Sequence, residues 1–336
     1  MIQDRMEEPR LDLIQFDLTD QCPLFCSHCS NSSGPQLRLA LGHHFVEMAL
    51  ADAVDLGCRN VTFSGGEPLC YVHLAAILVE CQKRRVATTL FTTGIRDKGT
   101  RLSLGDSEWA ELRALGLGTA IFSVYSSANN RKFHNEVVRL HPTREQDAFR
   151  VNELAILRAC SAGIRAEVQF IPSSATCSDL PAIASWATEL GISKVHLQFP
   201  SFQGRNAANP SLHVNDSQEA ILKAYSLSLS QQLGAKFHIS RLWCARWKIP
   251  TDAQLLSQVI VRSDGVVVRC NACKYLHCID QRSIYEESLQ QIWRNENWRN
   301  APCECSKQSI GKTAVGSGRS GMHIVPAYDV LASGIR

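Results

Sequence analysis

The sequence predicts an α/β fold built on a parallel sheet covered by helices, and three observations carry that prediction. From residue 13 to about residue 199, short β-branched or aromatic runs alternate with longer helical patterns. Several of the short runs are continuously apolar, as strands buried on both faces are. The chain has 336 residues, 45% hydrophobic and 20% charged, and so has room for a sizeable core in about two domains of roughly 150 residues each. The strand runs are 13–19, 60–65, 87–93, 119–125, 165–172 and 194–199. Between them lie the helical stretches 44–56, 71–83, 107–115, 143–162 and 179–190. Six strands with intervening helices fit an open doubly wound sheet or a closed or partial (β/α) barrel.

After Phe199 the rhythm breaks. Residues 200–214 are rich in Gly, Pro, Asn and Ser and read as a loop, and 216–233 restore a helical pattern. The runs 258–262 and 266–269 flank Ser263-Asp264-Gly265, a hairpin turn in which Asp-Gly supplies the positive-φ position. A short helix follows near 288–294, and the segment 306–336, with glycines, serines and no period, reads as a flexible tail.

Net charge is only +3, which excludes a broad electrostatic footprint for nucleic acid or anionic membrane. No apolar run reaches the ~18–20 residues that span a bilayer, and the acidic, polar start MIQDRMEEPR is unlike a signal peptide. A soluble, cytoplasmic protein is the expectation. Its fourteen cysteines then point to metal, because reducing cytosol disfavours a disulfide framework and a chain of this length does not need one.

Three of them form Cys22-x3-Cys26-x2-Cys29, directly after the first strand. Three thiolates on one loop at the carboxyl edge of a sheet can hold three irons of a [4Fe–4S] cube and leave the fourth iron without a protein ligand. The competing readings are a zinc loop or core thiols. The second motif, Ser64-Gly65-Gly66-Glu67-Pro68, ends the second strand. Its paired glycines allow backbone to approach a ligand closely and Pro68 stiffens the exit, although such a segment alone is commonly a plain β–α turn.

Together, in this spacing and order, the two motifs resemble the radical S-adenosylmethionine (radical SAM) superfamily. The resemblance implies that Cys22, Cys26 and Cys29 bind the cluster, that SAM chelates the open iron, and that Gly65, Gly66, Glu67 and Pro68 contact the SAM amino group. His28 fills the position before the third cysteine, where relatives carry an aromatic residue that packs on SAM. The implied activity is reductive cleavage of SAM to methionine and a 5′-deoxyadenosyl radical that abstracts a substrate hydrogen. The implied fold is a partial (β/α)6 barrel, TIM-like, with its site at the carboxyl ends of the strands. Further contacts implied with less support are Ser123, beside Tyr125 at the end of the fourth strand, near the SAM ribose. Glu167 and Gln169 of the fifth strand are placed toward ribose or substrate, and Arg205 of a Gly-Arg pair toward a carboxylate. Each has an ordinary alternative as a sheet-edge or loop residue.

Cys244, Cys270, Cys273, Cys278, Cys303 and Cys305 place six thiols in 62 residues, too dense for core filling. With Gly265-x4-Cys270 on the hairpin and the later ESLQQIW segment, they resemble the SPASM and twitch extensions that carry auxiliary Fe–S clusters. A cube fully ligated by cysteine takes four thiolates, so six support one auxiliary [4Fe–4S] cluster, with a structural zinc as the alternative. Cys244 and Cys270 are the first two expected ligands. The expected organisation is a core at 1–214, a linker helix with the auxiliary domain at 215–305, and the tail. Cys58, Cys70, Cys81, Cys160 and Cys177 stand singly and read as small buried hydrophobes; Cys70, close behind the glycine pair, and His134 are the two outlying residues to follow.

Relatives with such extensions mostly modify ribosomally made peptides by crosslinking, thioether formation, epimerisation or enzyme maturation, and this is the expected activity. The alternatives are oxidation or epimerisation of a small molecule and, from another class, a non-catalytic Fe–S or zinc protein. Expected partners are a peptide or small-molecule substrate and an electron donor such as flavodoxin or ferredoxin. Because only about ten residues precede the first strand, a separate peptide-recognition protein is also expected.

Overall fold

The structure, a computed structural model, describes residues 9–96, 103–140, 147–200, 203–249, 257–269 and 281–300. In chain order the first half contains β1 (Leu13–Thr19), α1 (His43–Asp55), β2 (Asn60–Gly65), α2 (Leu74–Lys83), β3 (Ala87–Thr92), α3 (Asp106–Ala114), β4 (Thr119–Val124), α4 (Arg131–Val138), α5 (Ala148–Ser161) and β5 (Arg165–Phe170). The second half contains α6 (Leu180–Glu189), β6 (Lys194–Leu197), α7 (Gly204–Ala207), α8 (Asp216–Leu233), β7 (Phe237–Ile239), α9 (Arg241–Trp247), β8 (Gln258–Val261), β9 (Val266–Val268), β10 (Arg282–Ser283), α10 (Leu289–Arg294) and α11 (Glu296–Asn300).

The strands join one sheet in the order β10-β9-β8-β1-β2-β3-β4-β5-β6-β7. From β8 to β7 every neighbouring pair is parallel, and only the β8–β9 hairpin and β10 run antiparallel. Consecutive strands β1 to β6 are therefore spatial neighbours, joined through helices, and the ladder ends at β10 and β7 instead of closing on itself. This is the partial (β/α)6 barrel, and the doubly wound alternative, with its reversal of strand order, is excluded.

Alternation along the strands separates two environments. In β1, Ile14, Phe16 and Leu18 pack into the main apolar core with α1 residues Val46, Ala49, Leu50 and Ala53. The residues between them, Gln15, Asp17 and Thr19, face the other way and are also buried. The helix side is thus a dry core and the barrel side carries polar groups. Trp109 of α3 is fully buried against Phe122 of β4, ring centroids 5.8 Å apart, and fixes the third crossover on the sheet.

Six strands begin at their expected residues, and several ends move inward. The third, fourth, fifth and sixth strands stop at Thr92, Val124, Phe170 and Leu197, because the residues beyond turn into the loops that carry the site. Residues 68–70 form a 3₁₀ turn, so α2 starts at Leu74. The fifth helix starts at Ala148, where Asp147 accepts a hydrogen bond from the Arg150 amide as N-cap, while 141–146 lie outside the described residues. The 200–214 segment holds α7 and a 3₁₀ turn at 210–212. The chain after 214 does not leave the sheet: β7 extends the β6 edge and β8 pairs with β1.

Candidate active site

The cysteine loop leaves β1 at the carboxyl edge of the sheet and is held on two sides. The amides of Phe25 and Ser27 donate to Arg139 O and Val137 O at 3.0 and 2.9 Å, using carbonyls that the end of α4 leaves free, and the Cys26 thiol donates to Val138 O at 3.3 Å. Cys22 N donates to Gly34 O at 3.2 Å, which closes the loop on itself. Cys22 and Cys26 are buried and Cys29 is half-buried, in an apolar cluster with Leu24, Ile95, Tyr125 and Val138. Burial pushes the Cys22 and Cys26 thiols well up from their ordinary range. As free thiols they stay protonated, and only a strongly electropositive partner at the sulfurs would ionise them. Among the described residues no three His, Cys, Asp or Glu side chains converge as ligands of one ion. A cube makes a different demand, since each of its three cysteines takes its own iron.

The glycine turn stands against this loop. Asn31 of the loop donates to Gly65 O at 2.8 Å, Gly66 N donates to Thr19 O at 2.6 Å, and Glu67 N to Gln21 O at 2.9 Å. Gly65 has φ +121°, and a Cβ on Gly66 would lie 2.4 Å from Gln21 O. Both positions therefore exclude a side chain, and their backbone lies directly on the cysteine loop's entry.

These elements enclose a cavity of about 220 Å³. Cys22, Cys26, Cys29 and His28 line it from one side, Ser64, Gly65 and Gly66 from the next strand, and Ser123, Tyr125 and Gln169 from β4 and β5. Ser123 and Gln169 are paired, with Gln169 Nε2 donating to Ser123 Oγ at 2.8 Å. Three carboxamide oxygens on the cavity wall, Gln15 Oε1, Gln169 Oε1 and Gln198 Oε1, are buried without a hydrogen-bond partner. Buried acceptors of this kind imply a ligand with donors. SAM, with an ammonium, ribose hydroxyls and an adenine amine, has them. The residues present thus fit both groups the sequence resemblance implies: thiols for a cube and a cradled, acceptor-lined cavity for SAM.

His28 lies on the Tyr125 ring with centroids 3.9 Å apart, and burial lowers its pKa to about 3, so it is a neutral flat ring at the cavity wall. Four other expected contacts are placed differently. Glu67 and Pro68 do not line the cavity. The Glu67 carboxylate is fully buried and accepts from Leu69 N, Thr92 Oγ1, Thr93 N and Thr93 Oγ1, at 3.2, 2.6, 2.9 and 2.7 Å, so it braces the glycine turn against the end of β3. Glu167 is turned to His196, 2.6 Å away, and does not line the cavity. Arg205 is taken up by the cysteine loop, its guanidinium donating to Cys26 O at 2.7 Å and Ser33 O at 2.6 Å, so it is not presented to a ligand carboxylate. Cys70 lies in the 3₁₀ turn and His134 behind Tyr125, neither on the cavity wall. Of the carboxyl-terminal six, Cys244 is buried on α9, and Cys270, Cys273, Cys278, Cys303 and Cys305 lie outside the described residues.

Gln15 and Gln198 were not anticipated, and neither were Phe133 and Val137, which bring α4 to the cavity. Gln15 had a signal: in Leu-Ile-Gln-Phe-Asp-Leu-Thr the polar residues fall on alternate positions of an otherwise apolar strand, so they share the barrel face. Gln198 carried the same signal, since in Lys194-Val-His-Leu-Gln-Phe199 the polar residues also alternate with apolar ones, although β6 itself ends at Leu197.

His134 supplies a pH dependence. It is buried between Tyr125 and Phe149, and burial lowers its pKa to about 4. The unfolded chain protonates this group near pH 6.5 and the folded chain only near 4, so the unfolded state binds more protons between these values and stability falls as pH falls through that window. Replacing it, His134→Phe, is expected to reduce the loss between pH 7 and pH 5 by about 1–2 kcal/mol. Urea unfolding at the two pH values checks this; an equal loss in both proteins contradicts it.

Comparison with known proteins follows this geometry. Residues 17–171 match the family profile described as the Radical SAM superfamily, a span that runs from the cysteine loop through β5. The PqqA peptide cyclase of Methylorubrum extorquens (strain PA1) is 24% identical over 303 residues, covering 85% of this chain and 75% of that protein. The PqqA peptide cyclase of Xanthomonas campestris pv. campestris (strain B100) is 22% identical over 318 residues, covering 88% and 80%. Streptococcus suis SuiB bound to precursor peptide SuiA shares the fold with a TM-score of 0.64 and 16% identity, over 88% of this chain but 66% of SuiB, so the chain spans a little under two thirds of that protein. Native anSMEcpe with bound AdoMet and Cp18Cys peptide also shares it, with a TM-score of 0.64, 16% identity and coverage of 90% and 86%. The cysteine loop, the glycine turn, the end of β1 and strands β2 to β5 fall within this one family match, so residues 17–171 are a radical SAM domain.

Proposed function

We propose that this radical SAM enzyme modifies a peptide, joining or rearranging side chains of a ribosomally made substrate. The observation that carries the catalytic part is the buried three-cysteine loop opening onto a cavity of about 220 Å³ with a glycine cradle and unpartnered carboxamide oxygens on its wall. Support for a peptide comes from the relatives, named as PqqA peptide cyclases, and from structural neighbours holding a precursor peptide or a peptide with AdoMet.

In this reading Cys22, Cys26 and Cys29 hold the [4Fe–4S] cluster, and the backbone of Gly65 and Gly66 faces the amino end of SAM. The Ser123–Gln169 pair and the neutral His28 ring line the nucleoside. The cluster and SAM, once bound by these residues, would supply reductive cleavage of SAM and hydrogen abstraction by the resulting 5′-deoxyadenosyl radical. The protein's part is to orient SAM and substrate in a cavity screened from water: Leu24, Ile95 and Val138 keep the thiols dry, and the α4 end with Phe133 and Val137 covers one side. Cys244 with three of Cys270, Cys273, Cys278, Cys303 and Cys305 would hold one auxiliary [4Fe–4S] cluster in the region 215–305. Electrons would come from a flavodoxin or ferredoxin in the cytoplasm. Among the described residues no helix is long and apolar enough to cross a membrane.

The test is mass spectrometry of short precursor peptides incubated anaerobically with the reconstituted enzyme, SAM and dithionite. A peptide that loses two hydrogens, or exchanges one with solvent deuterium, is the expected result. Change confined to sugars, nucleotides or other small molecules would contradict the peptide reading and favour small-molecule oxidation.

A further inference from the structure

The turn after β6 is built onto the cysteine loop through contacts separate from those of α4. Gly204 has φ +54°, and a Cβ there would stand 2.5 Å from Ser30 O and 2.7 Å from Cys29 O. Arg205 N donates to Cys29 O at 3.0 Å. The Arg205 guanidinium donates through Nε to Cys26 O and through a terminal nitrogen to Ser33 O, and its plane lies over the Phe25 ring, 4.1 Å from the centroid. Asn209 completes the set, its Nδ2 donating to Ser27 O at 2.9 Å and to Arg205 O at 2.7 Å. Carbonyls of Cys26, Ser27, Cys29 and Ser33, on both sides of the ligand positions, are therefore held by one short segment 172 to 182 residues away in sequence. Two of the four hydrogen bonds to them come from one guanidinium cation.

The geometry points to Arg205 as a positioning residue for the iron–sulfur cluster, clamping the cysteine loop in its ligand conformation and, through its charge beside Cys26, making the bound cluster easier to reduce. The inference rests on the reading of Cys22, Cys26 and Cys29 as the ligands. A planar fork holds two carbonyls in fixed directions, whereas an ammonium on a flexible stem fixes neither. A fixed positive charge next to a reducible centre favours the state with the extra electron, and burial lessens its screening. Clamp and charge are separable, because lysine keeps the charge and loses the fork.

The experiment uses the full chain with Arg205→Lys and Arg205→Met. Two quantities are read: hydrogen exchange at the Phe25 and Ser27 amides in cluster-free protein, and the midpoint potential of the SAM-responsive EPR signal after reconstitution with iron and sulfide. Arg205→Met is expected to speed exchange about tenfold or more, as loss of two charge-assisted hydrogen bonds would. It is also expected to lower the potential by about 59 mV, the equivalent of a tenfold change in a one-electron equilibrium. Arg205→Lys is expected to speed exchange likewise while holding the potential near the wild-type value. Wild-type exchange and potential in both variants would overturn the inference. Should the methionine variant not fold, wild-type exchange in Arg205→Lys alone overturns the clamp. A SAM-responsive signal that survives in a Cys22/Cys26/Cys29→Ala protein would instead overturn the ligand reading and the charge effect with it, while exchange in cluster-free protein still decides the clamp.

Discussion

Replacing Cys22, Cys26 and Cys29 together by alanine is expected to remove about four irons per chain, one cube's worth, and to abolish SAM cleavage. The three thiols sit on one loop, two of them buried among Leu24, Ile95 and Val138, so the variant loses small side chains from an already apolar cluster. Its fold, carried by the helix-side core around Phe16, Phe63 and Trp109, is expected to stay. Iron bound through the carboxyl-terminal cysteines is expected to remain. Metal analysis with circular dichroism separates these outcomes: a folded variant with unchanged iron would place the SAM-responsive cluster elsewhere.

The second large effect is expected at Gly66→Ala. Its added methyl would stand 2.4 Å from Gln21 O and 2.9 Å from Asp20 C and O, all of them backbone atoms. No flexible side chain can move aside, so the turn or the start of the cysteine loop must shift. Gly66 N is bonded to Thr19 O and Glu67 N to Gln21 O, and a shift strains both. A stability loss of about 1–3 kcal/mol is expected from the overpacking, with SAM affinity and 5′-deoxyadenosine formation reduced tenfold or more, the equivalent of about 1.4 kcal/mol. Serial SAM binding and thermal unfolding check the two parts. A variant with wild-type affinity for SAM would show that the turn does not form part of that site.

Much of this was legible in the sequence for physical reasons. β1, β2 and β5 are short runs of buried residues whose periodicity and apolar character set their type, and their starts coincide with the expected ones. The meeting of Cys22, Cys26, Cys29, Gly65 and Gly66 at one cavity was legible because it depends on local spacing just after two neighbouring strands, which a loop preserves. The elements that escaped were short: β7 has three residues and gains its hydrogen bonds only by lying against β6. α4, Arg131–Val138, places Phe133 with Val137 and His134 with Val138 at helical spacing, but its eight residues are too few for the period to repeat and separate from a loop.

The expected site residues that do not line the cavity share another cause. Glu67 lies in a turn, Arg205 in the short α7 and Glu167 within β5, all polar groups near the site, and the sequence cannot say which partner each one finds. Glu67 meets the two threonines at the end of β3, Glu167 meets His196 on β6, and Arg205 meets carbonyls of the cysteine loop. Each partner is distant in sequence: the parallel register brings those of Glu67 and Glu167 near, and the packing of α7 on the cysteine loop brings those of Arg205. A buried charge finds whichever hydrogen-bonding groups the fold places within reach. Gln15 is the converse, a residue in a well-defined strand whose inward direction follows from alternation alone.

The most direct test of the account is the yield of 5′-deoxyadenosine when the protein, reconstituted anaerobically with iron and sulfide, is given SAM and dithionite. The account predicts 5′-deoxyadenosine from a chain carrying about eight irons, the sum of two cubes, and none from the Cys22/Cys26/Cys29→Ala variant. A reconstituted protein that binds iron or zinc and leaves SAM intact under these reducing conditions would contradict it.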